Sequence, residues 1–305
     1  MEKRSFEQIR DKMLKSAKEG IKSAYSNEEY ALIQAINAYL ETSKSYNLSY
    51  ERLSEWYGIY FPEIRLNNPK VLADLALVMN SKDGIDKDEI NKIINDEQKS
   101  ESLYKKAQET IGRSMNENEK KALISFANLS NDMNRSLNEL EEYIKLAANE
   151  ILPNTTYLTD EKIAAEMLAK AGSMERLSSM PASTIQLLGA EKALFKHIKF
   201  GSKPPKYGVL FKMAAISNAP RDQRGRIARI YATKISIALK GDYFTKKFIA
   251  ERLKEDLEKG IKRIKESPPR EKKRSDDRPQ RHGRPQRQGR QDGMNRGNRR
   301  PRQRY

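Results

Sequence analysis

Apolar and polar positions follow a seven-residue period in two long stretches of the chain. Leu32, Ile36, Tyr39, Ser43, Tyr46, Tyr50, Leu53, Tyr57 and Tyr60 recur at alternating steps of four and three, the spacing that keeps one helix face against a partner helix. The pattern stops at Phe61-Pro62, where a proline ring ends a helix. A second seam runs through Leu123, Phe126, Ser130, Met133, Leu137, Leu140, Ile144, Ala147 and Ile151 up to Pro153. Ser26 with Glu29 and Asn116 with Glu119 form capping boxes at the two starts, side chain and acid each satisfying an orphan backbone donor. At about 1.5 Å per residue each helix spans roughly 50 Å, and the near-equal lengths predict antiparallel pairing. Seams this long also mediate contact between copies. Tyr39, Tyr46, Leu53, Phe126, Met133, Leu137, Leu140 and Ile144 are therefore candidates for a homodimer contact, against the plainer reading of a solvent-facing coil without a specific partner.

Residues 66–112 read as shorter helices inserted in the coil. Asp83-Gly84 reads as a turn, and Asp86 with Glu89 as a capping box ahead of Ile90, Ile93 and Ile94. The acids there lack EF-hand spacing, so capping is preferred to a calcium site. From Thr159, read as a cap, a helix with Ile163, Met167, Leu168 and Ala171 inward stops at Gly172. A helix over 221–240 carries Ile227, Tyr231, Ile235 and Ala238 on one face and closes at Gly241. The last, 245–266, packs through Ile249, Leu253, Leu257, Ile261 and Ile264 until Pro268-Pro269. No strand-period segment of convincing length appears, so the expected fold class is all-α. The chain then divides into a helical linker (1–27), a coiled-coil domain with its insertion (28–158), a second helical domain (159–266) and a tail (267–305).

Composition alters this picture in three ways. The tail holds 14 Lys/Arg against 4 Asp/Glu among Gln, Gly and Pro; it cannot bury a core and reads as disordered. The whole chain carries +17, of which about +7 stays on residues 1–266, so the folded part favours phosphate-bearing partners without the tail. There is no cysteine, which removes disulfides, thiolate metal sites and cysteine nucleophiles and suits a reducing compartment. With no signal-like h-region and no run of about 18 apolar residues, a soluble cytoplasmic protein without membrane contact is expected.

The candidate chemistry is cationic. Lys192, Lys196 and Lys199 sit four and three apart and share a helix face. Lys203 and Lys206 flank Pro204-Pro205, whose fixed φ lowers the entropy lost when those cations meet phosphate. Arg224, Arg226 and Arg229 stand near a helix start, where phosphate is favoured. Tyr207 suits stacking on an unpaired base or anchoring of its own loop. Lys234 falls on an apolar stripe, as a snorkelling stem. His197 has no second histidine or acid at ligand or general-base spacing, so it is structural or an RNA contact. Bland alternatives stand beside these: a solvated helix face for the lysines, an ordinary turn for the proline pair. No glycine-rich cofactor loop, metal cluster or nucleophile constellation is present, so no cofactor, metal or catalytic residue is expected.

The run Met180-Pro181-Ala182-Ser183-Thr184-Ile185-Gln186-Leu187-Leu188-Gly189-Ala190-Glu191-Lys192-Ala193-Leu194-Phe195, followed by Gly201-Ser202-Lys203-Pro204-Pro205-Lys206-Tyr207-Gly208, resembles the Nop domain. Gln223 to Arg229, Asp242-Tyr243-Phe244, Ile33 to Ile36, Glu55-Trp56-Tyr57 and Phe61-Pro62-Glu63 also resemble family positions, so the likeness covers roughly residues 28–266. The resemblance implies a non-catalytic scaffold of archaeal box C/D ribonucleoproteins, which guide ribose 2′-O-methylation of rRNA and tRNA. The Nop domain would recognise a kink-turn in the guide RNA together with the ribosomal-protein-like factor bound to it. Gly189, Ala190, Glu191, Lys192, Phe195 and the loop Lys203 to Tyr207 would lie against both, while the coiled coil joins two copies. Archaeal members begin with an α/β domain that docks the methyltransferase fibrillarin. This chain starts in the helical linker instead, which leaves that domain separately supplied, truncated or lost. Family members often have histidine where Tyr207 stands, and His-Pro where this chain has Lys212-Met213. A spliceosomal-type Nop clamp and a general RNA-binding coiled-coil protein driven by its tail are the rival readings.

Overall fold

Glu28–Tyr57 (α2) and Glu117–Ile151 (α6) bury their apolar stripes against each other in the computed structural model, which describes residues 2–25, 27–79 and 85–267. Their pairing is antiparallel, because contacts across it keep a nearly constant sum of residue numbers. The Tyr39 hydroxyl donates to Glu141 at 3.3 Å, the Ser49 and Ser130 hydroxyls meet at 3.3 Å, and the Trp56 and Phe126 rings lie 6.1 Å apart. Ser130, a seam position by its spacing, is thus fully buried yet satisfied across the interface. The capping box Asn116–Glu119 is formed. At the start of α2 the cap is Asn27, not Ser26, which lies outside the described residues; Glu29 is instead buried and accepts from the Met174 backbone at 2.9 Å. That carboxylate ties the coil to the N-terminus of the short helix Met174–Ser179 (α9), where an anion is favoured.

At the far end of the pair, Pro69–Val78 (α3), Lys87–Ile94 (α4) and Glu97–Gln108 (α5) form the insertion. They enclose a core with Leu53, Tyr57, Phe61, Leu72, Leu75 and Leu123. Asp86 caps α4 through the Asp88 amide; the Asp83-Gly84 turn lies outside the described residues. Residues 110–112 cross the end of the coil closely. Glu63 accepts from Thr110 and the Ile111 amide, and a Cβ on Gly112 would stand 2.0 Å from the Tyr60 carbonyl.

At the near end, Pro153–Leu158 (α7), Glu161–Ala171 (α8), α9, Ala182–Leu187 (α10), Glu191–Phe200 (α11), Ala214–Ser217 (α12), Arg221–Lys240 (α13) and Ala250–Glu266 (α14) gather. Leu32, Ile36 and Ile144 of the coil share one apolar core with Ile163, Leu168, Ile227, Ile235 and Leu253, so the base of the coil is packed into the C-terminal half. The described residues are helical, with no strand among them; the fold is all-α. Glu2–Tyr25 (α1) precedes α2 and leaves Phe6, Ile9, Met13, Leu14 and Ile21 exposed.

Two sequence-based boundaries shift in this half. Asp160, not Thr159, caps α8, and Gly172 closes it at φ 89° as expected. α13 ends at Lys240 with Gly241 as its cap, as expected, but Gly241 keeps a right-handed conformation and the chain passes on through a π-helical turn, Gly241–Thr245, to reverse at Lys246 with φ 53°. The last helix therefore begins at Ala250, not at Thr245. The cause is Asp242, whose carboxylate is buried and accepts from Asn154 N, Asn154 Nδ2, Thr155 N and Thr155 Oγ1 at 2.7–3.1 Å. Capping the start of α7 across the fold pulls residues 241–245 out of the regular helical path.

Candidate RNA and protein interface

Turn geometry sets the candidate surface. After α10 the chain reverses at Gly189, whose φ of 86° favours glycine and whose Cβ, if present, would lie 2.7 Å from Val209 Cγ2. The Gly189 amide donates to Glu191 at 2.6 Å, so this glutamate closes the start of α11. No residue of α11 is buried. Lys192, Lys196 and Lys199 line one face in solvent, and Phe195, Ile198 and Phe200 are each about 70% exposed. An isolated ten-residue helix is marginal in water, so α11 depends on the structured turns at its two ends. At its C-terminus Gly201 takes φ 65°, and His197 Nδ1 donates to the Ser202 carbonyl, which gives His197 a structural task.

The loop Lys203 to Gly208 returns along α10. Gln186 Nε2 donates to the Lys206 carbonyl at 2.7 Å, Gly208 N to the Gln186 carbonyl at 3.0 Å and Val209 N to the Leu188 carbonyl at 2.8 Å. Tyr207 stacks on Phe211 with centroids 4.6 Å apart and planes 10° from parallel. Arg224 lies over the same Phe211 ring at 5.5 Å and donates through Nε to the Ala219 carbonyl at 2.7 Å. The Lys206 stem passes over Gly225, where a Cβ would meet it at an ordinary 3.5 Å. Tyr207 thus anchors its loop through Phe211, one of the two roles its sequence left open, and its ring is half-buried.

Lys206, Tyr207 and Arg224 come together in one cluster, with Lys203 and Pro204-Pro205 earlier in the same turn and the α11 lysines on the helix leading into it. Arg226 and Arg229 do not join Arg224. Two residues along a helix turn a side chain by about 160° from its neighbour's direction, and Arg224 points to the packed side of α13 whereas Arg229 is exposed. Among the described residues, the ion pairs all involve other basic residues than Lys192, Lys196, Lys199, Lys203, Lys206, Arg226 and Arg229. Those seven charges therefore have no ion-pair partner among the described residues. Lys234 bonds Asp256 of α14 at 2.7 Å, and that ammonium holds the Asp256 carboxyl below the ordinary carboxylate range. Lys212 pairs with the buried Glu166 of α8.

Local spacing does not single out Phe211 and Gln186 as parts of this arrangement. Phe211 follows Tyr207 by four residues, a separation that carries no stacking signal in a loop; the other partners are brought together only by the fold.

The family model described as Nop, snoRNA binding domain, fibrillarin, matches residues 38–263. The chain belongs to the Nop family. It is similar to an uncharacterised NOP5 family protein of Methanocaldococcus jannaschii, 34% identical over 272 residues, 87% of this chain and 65% of that protein. It is also similar to nucleolar protein 56 of Dictyostelium discoideum, 33% identical over 220 residues, 70% of this chain and 41% of that protein. The Nop chain therefore spans less than two thirds of the length of these relatives. The crystal structure of a fibrillarin/Nop5p complex aligns with a TM-score of 0.49 and 22% identity over 85% of this chain and 78% of that one.

The seam residues are used inside the chain. Leu53, Leu137 and Ile144 are buried, and Tyr39, Tyr46, Phe126, Met133 and Leu140 are half-buried between or beside α2 and α6. Heptad spacing does not distinguish a partner helix of the same chain from one of another copy. A contact between copies would use the outward faces of these helices.

Proposed function

We propose that this chain is the non-catalytic, RNA-binding scaffold of an archaeal box C/D ribonucleoprotein guiding 2′-O-methylation of rRNA and tRNA, working in the cytoplasm. Its C-terminal half recognises a kink-turn in the guide RNA together with the ribosomal-protein-like factor already on it. The observation that supports this most is α11: a helix with no buried residue, held at both ends by glycine turns, carrying lysines that stand outside the ion pairs of the described residues beside exposed Phe195, Ile198 and Phe200. Cations meet phosphate while exposed rings and Ile198 meet protein, so one helix suits a composite partner. Fibrillarin supplies the methyl-transfer chemistry, and the scaffold holds guide and target in reach of it. The α2/α6 pair joins a second copy.

Lys192→Ala with Lys206→Ala tests the surface. Removing two phosphate contacts is expected to weaken binding to factor-loaded kink-turn RNA by at least tenfold in a filter or gel-shift assay, with a far smaller loss on random RNA. Parallel losses on both RNAs would refute a shaped surface. The tail-driven reading predicts instead that deleting residues 267–305 abolishes all RNA binding.

A further inference from the structure

Away from α11, the link between α13 and α14 carries an exposed aromatic and basic segment, Tyr243-Phe244-Thr245-Lys246-Lys247-Phe248. Phe244 is 64% and Phe248 54% exposed, and Lys246 and Lys247 are exposed between them. The backbone under these rings is fixed. Asp242 is held by its four donors, Lys246 N donates to the Gly241 carbonyl at 2.8 Å, Asn154 Nδ2 donates to the Lys247 carbonyl at 2.9 Å, and Ile249 N donates to Asn154 Oδ1 at 2.6 Å. Lys246 keeps φ 53°, a left-handed conformation that costs an L-residue other than glycine energy. The rings have neighbours that orient them: Tyr157 stands edge-on to Phe248 at 5.5 Å, Lys254 lies over Tyr157 at 4.7 Å, and Tyr243 stands edge-on to Phe244 at 4.8 Å. Lys246, Lys247 and Lys254 have no acidic partner among the ion pairs of the described residues.

We propose that this segment, with Tyr157 and Lys254, is a second RNA contact: a fixed platform on which unpaired bases of a single strand stack on Phe244 and Phe248 while Lys246, Lys247 and Lys254 follow the phosphates. Interleaved rings and cations on a stiff backbone are what a strand with splayed bases requires, since every base offers a π-face and every linkage a charge. A protein partner would meet the same rings, but three unneutralised lysines among them would have to be desolvated against it, which favours the polyanion. The site shares no residue with α11 and its loop, so it stands or falls apart from the kink-turn reading.

The test uses the full chain, a twelve-nucleotide oligouridylate, fluorescence anisotropy over a salt series and ultraviolet cross-linking. Phe244→Ala with Phe248→Ala removes exposed rings, so the circular dichroism and melting temperature should not change. Affinity should fall by about tenfold or more, as expected for lost base stacking, with the same salt slope. Lys246→Gln with Lys247→Gln should lower the slope of log affinity against log salt by about 1.4, roughly 0.7 for each phosphate contact. Cross-links should map to residues 243–248, whereas the Lys192→Ala, Lys206→Ala protein should retain them. Unchanged affinity in the ring variant, or cross-links confined to other residues, would overturn the proposal. So would intact RNA affinity with a changed assembly mass, which would make the patch a protein contact.

Discussion

Asp242→Ala is expected to lower the free energy of unfolding by about 4 kcal/mol, because it takes the acceptor away from the buried Asn154 and Thr155 amides and the Thr155 hydroxyl, and leaves Asn154 Nδ2 with only the Lys247 carbonyl. Such a loss is a large share of the roughly 5–15 kcal/mol that holds an ordinary protein together. Asp242→Asn should recover only part of it, since one oxygen still accepts while the new NH2 faces donors. The damage should also spread: Asn154 bonds the Lys247 carbonyl and the Ile249 amide, so the start of α14 loosens together with the base of the coil. Urea unfolding followed by circular dichroism reads the first effect, and faster amide exchange in residues 241–253 the second. A change below about 1 kcal/mol would mean that the carboxylate is not what shapes the π-helical turn.

Gly208→Ala should damage binding more than folding. A Cβ there would stand 2.0 Å from the Leu188 carbonyl oxygen and 2.8 Å from its carbon, both backbone atoms that cannot swing aside. The return strand must move, breaking the bonds from Gly208 N to Gln186 and from Val209 N to Leu188, and Lys203, Lys206 and Tyr207 move with it. Affinity for factor-loaded kink-turn RNA should fall about tenfold or more, equivalent to about 1.4 kcal/mol or more, while binding to random RNA changes little because no charge is lost. Gly225→Ala is the matched control: its Cβ meets the flexible Lys206 stem at 3.5 Å, an ordinary contact. Equal behaviour of the two variants would show that the position of the loop does not matter to the partner.

The helices were legible in the sequence where a period repeated. Both seams, the short-helix insertion and the apolar faces of α8, α13 and α14 follow from spacing alone, since one buried stripe per helix dictates it. The starts of α2 and α8 were legible to within a residue: Ser26 and Asn27, or Thr159 and Asp160, are adjacent residues that can both cap a helix, and the backbone selects between them. The reversal after α13 was not legible, because the acceptor at Asp242 and its donors at 154 and 155 are far apart in the chain. At the site, the lysine face of α11 and the stiffened turn could be read from local spacing. The role of Tyr207 could not, because it depends on Phe211, nor could the separation of Arg224 from Arg226 and Arg229, which depends on which side of α13 is packed.

The most direct measurement compares the affinity of the full chain for three RNAs at one salt concentration: a box C/D kink-turn carrying its ribosomal-protein-like factor, the same RNA bare, and an RNA with the kink-turn deleted. A preformed surface for the composite predicts tight binding to the first alone, with the other two reduced to the level of random RNA. Equal affinity for all three would contradict it.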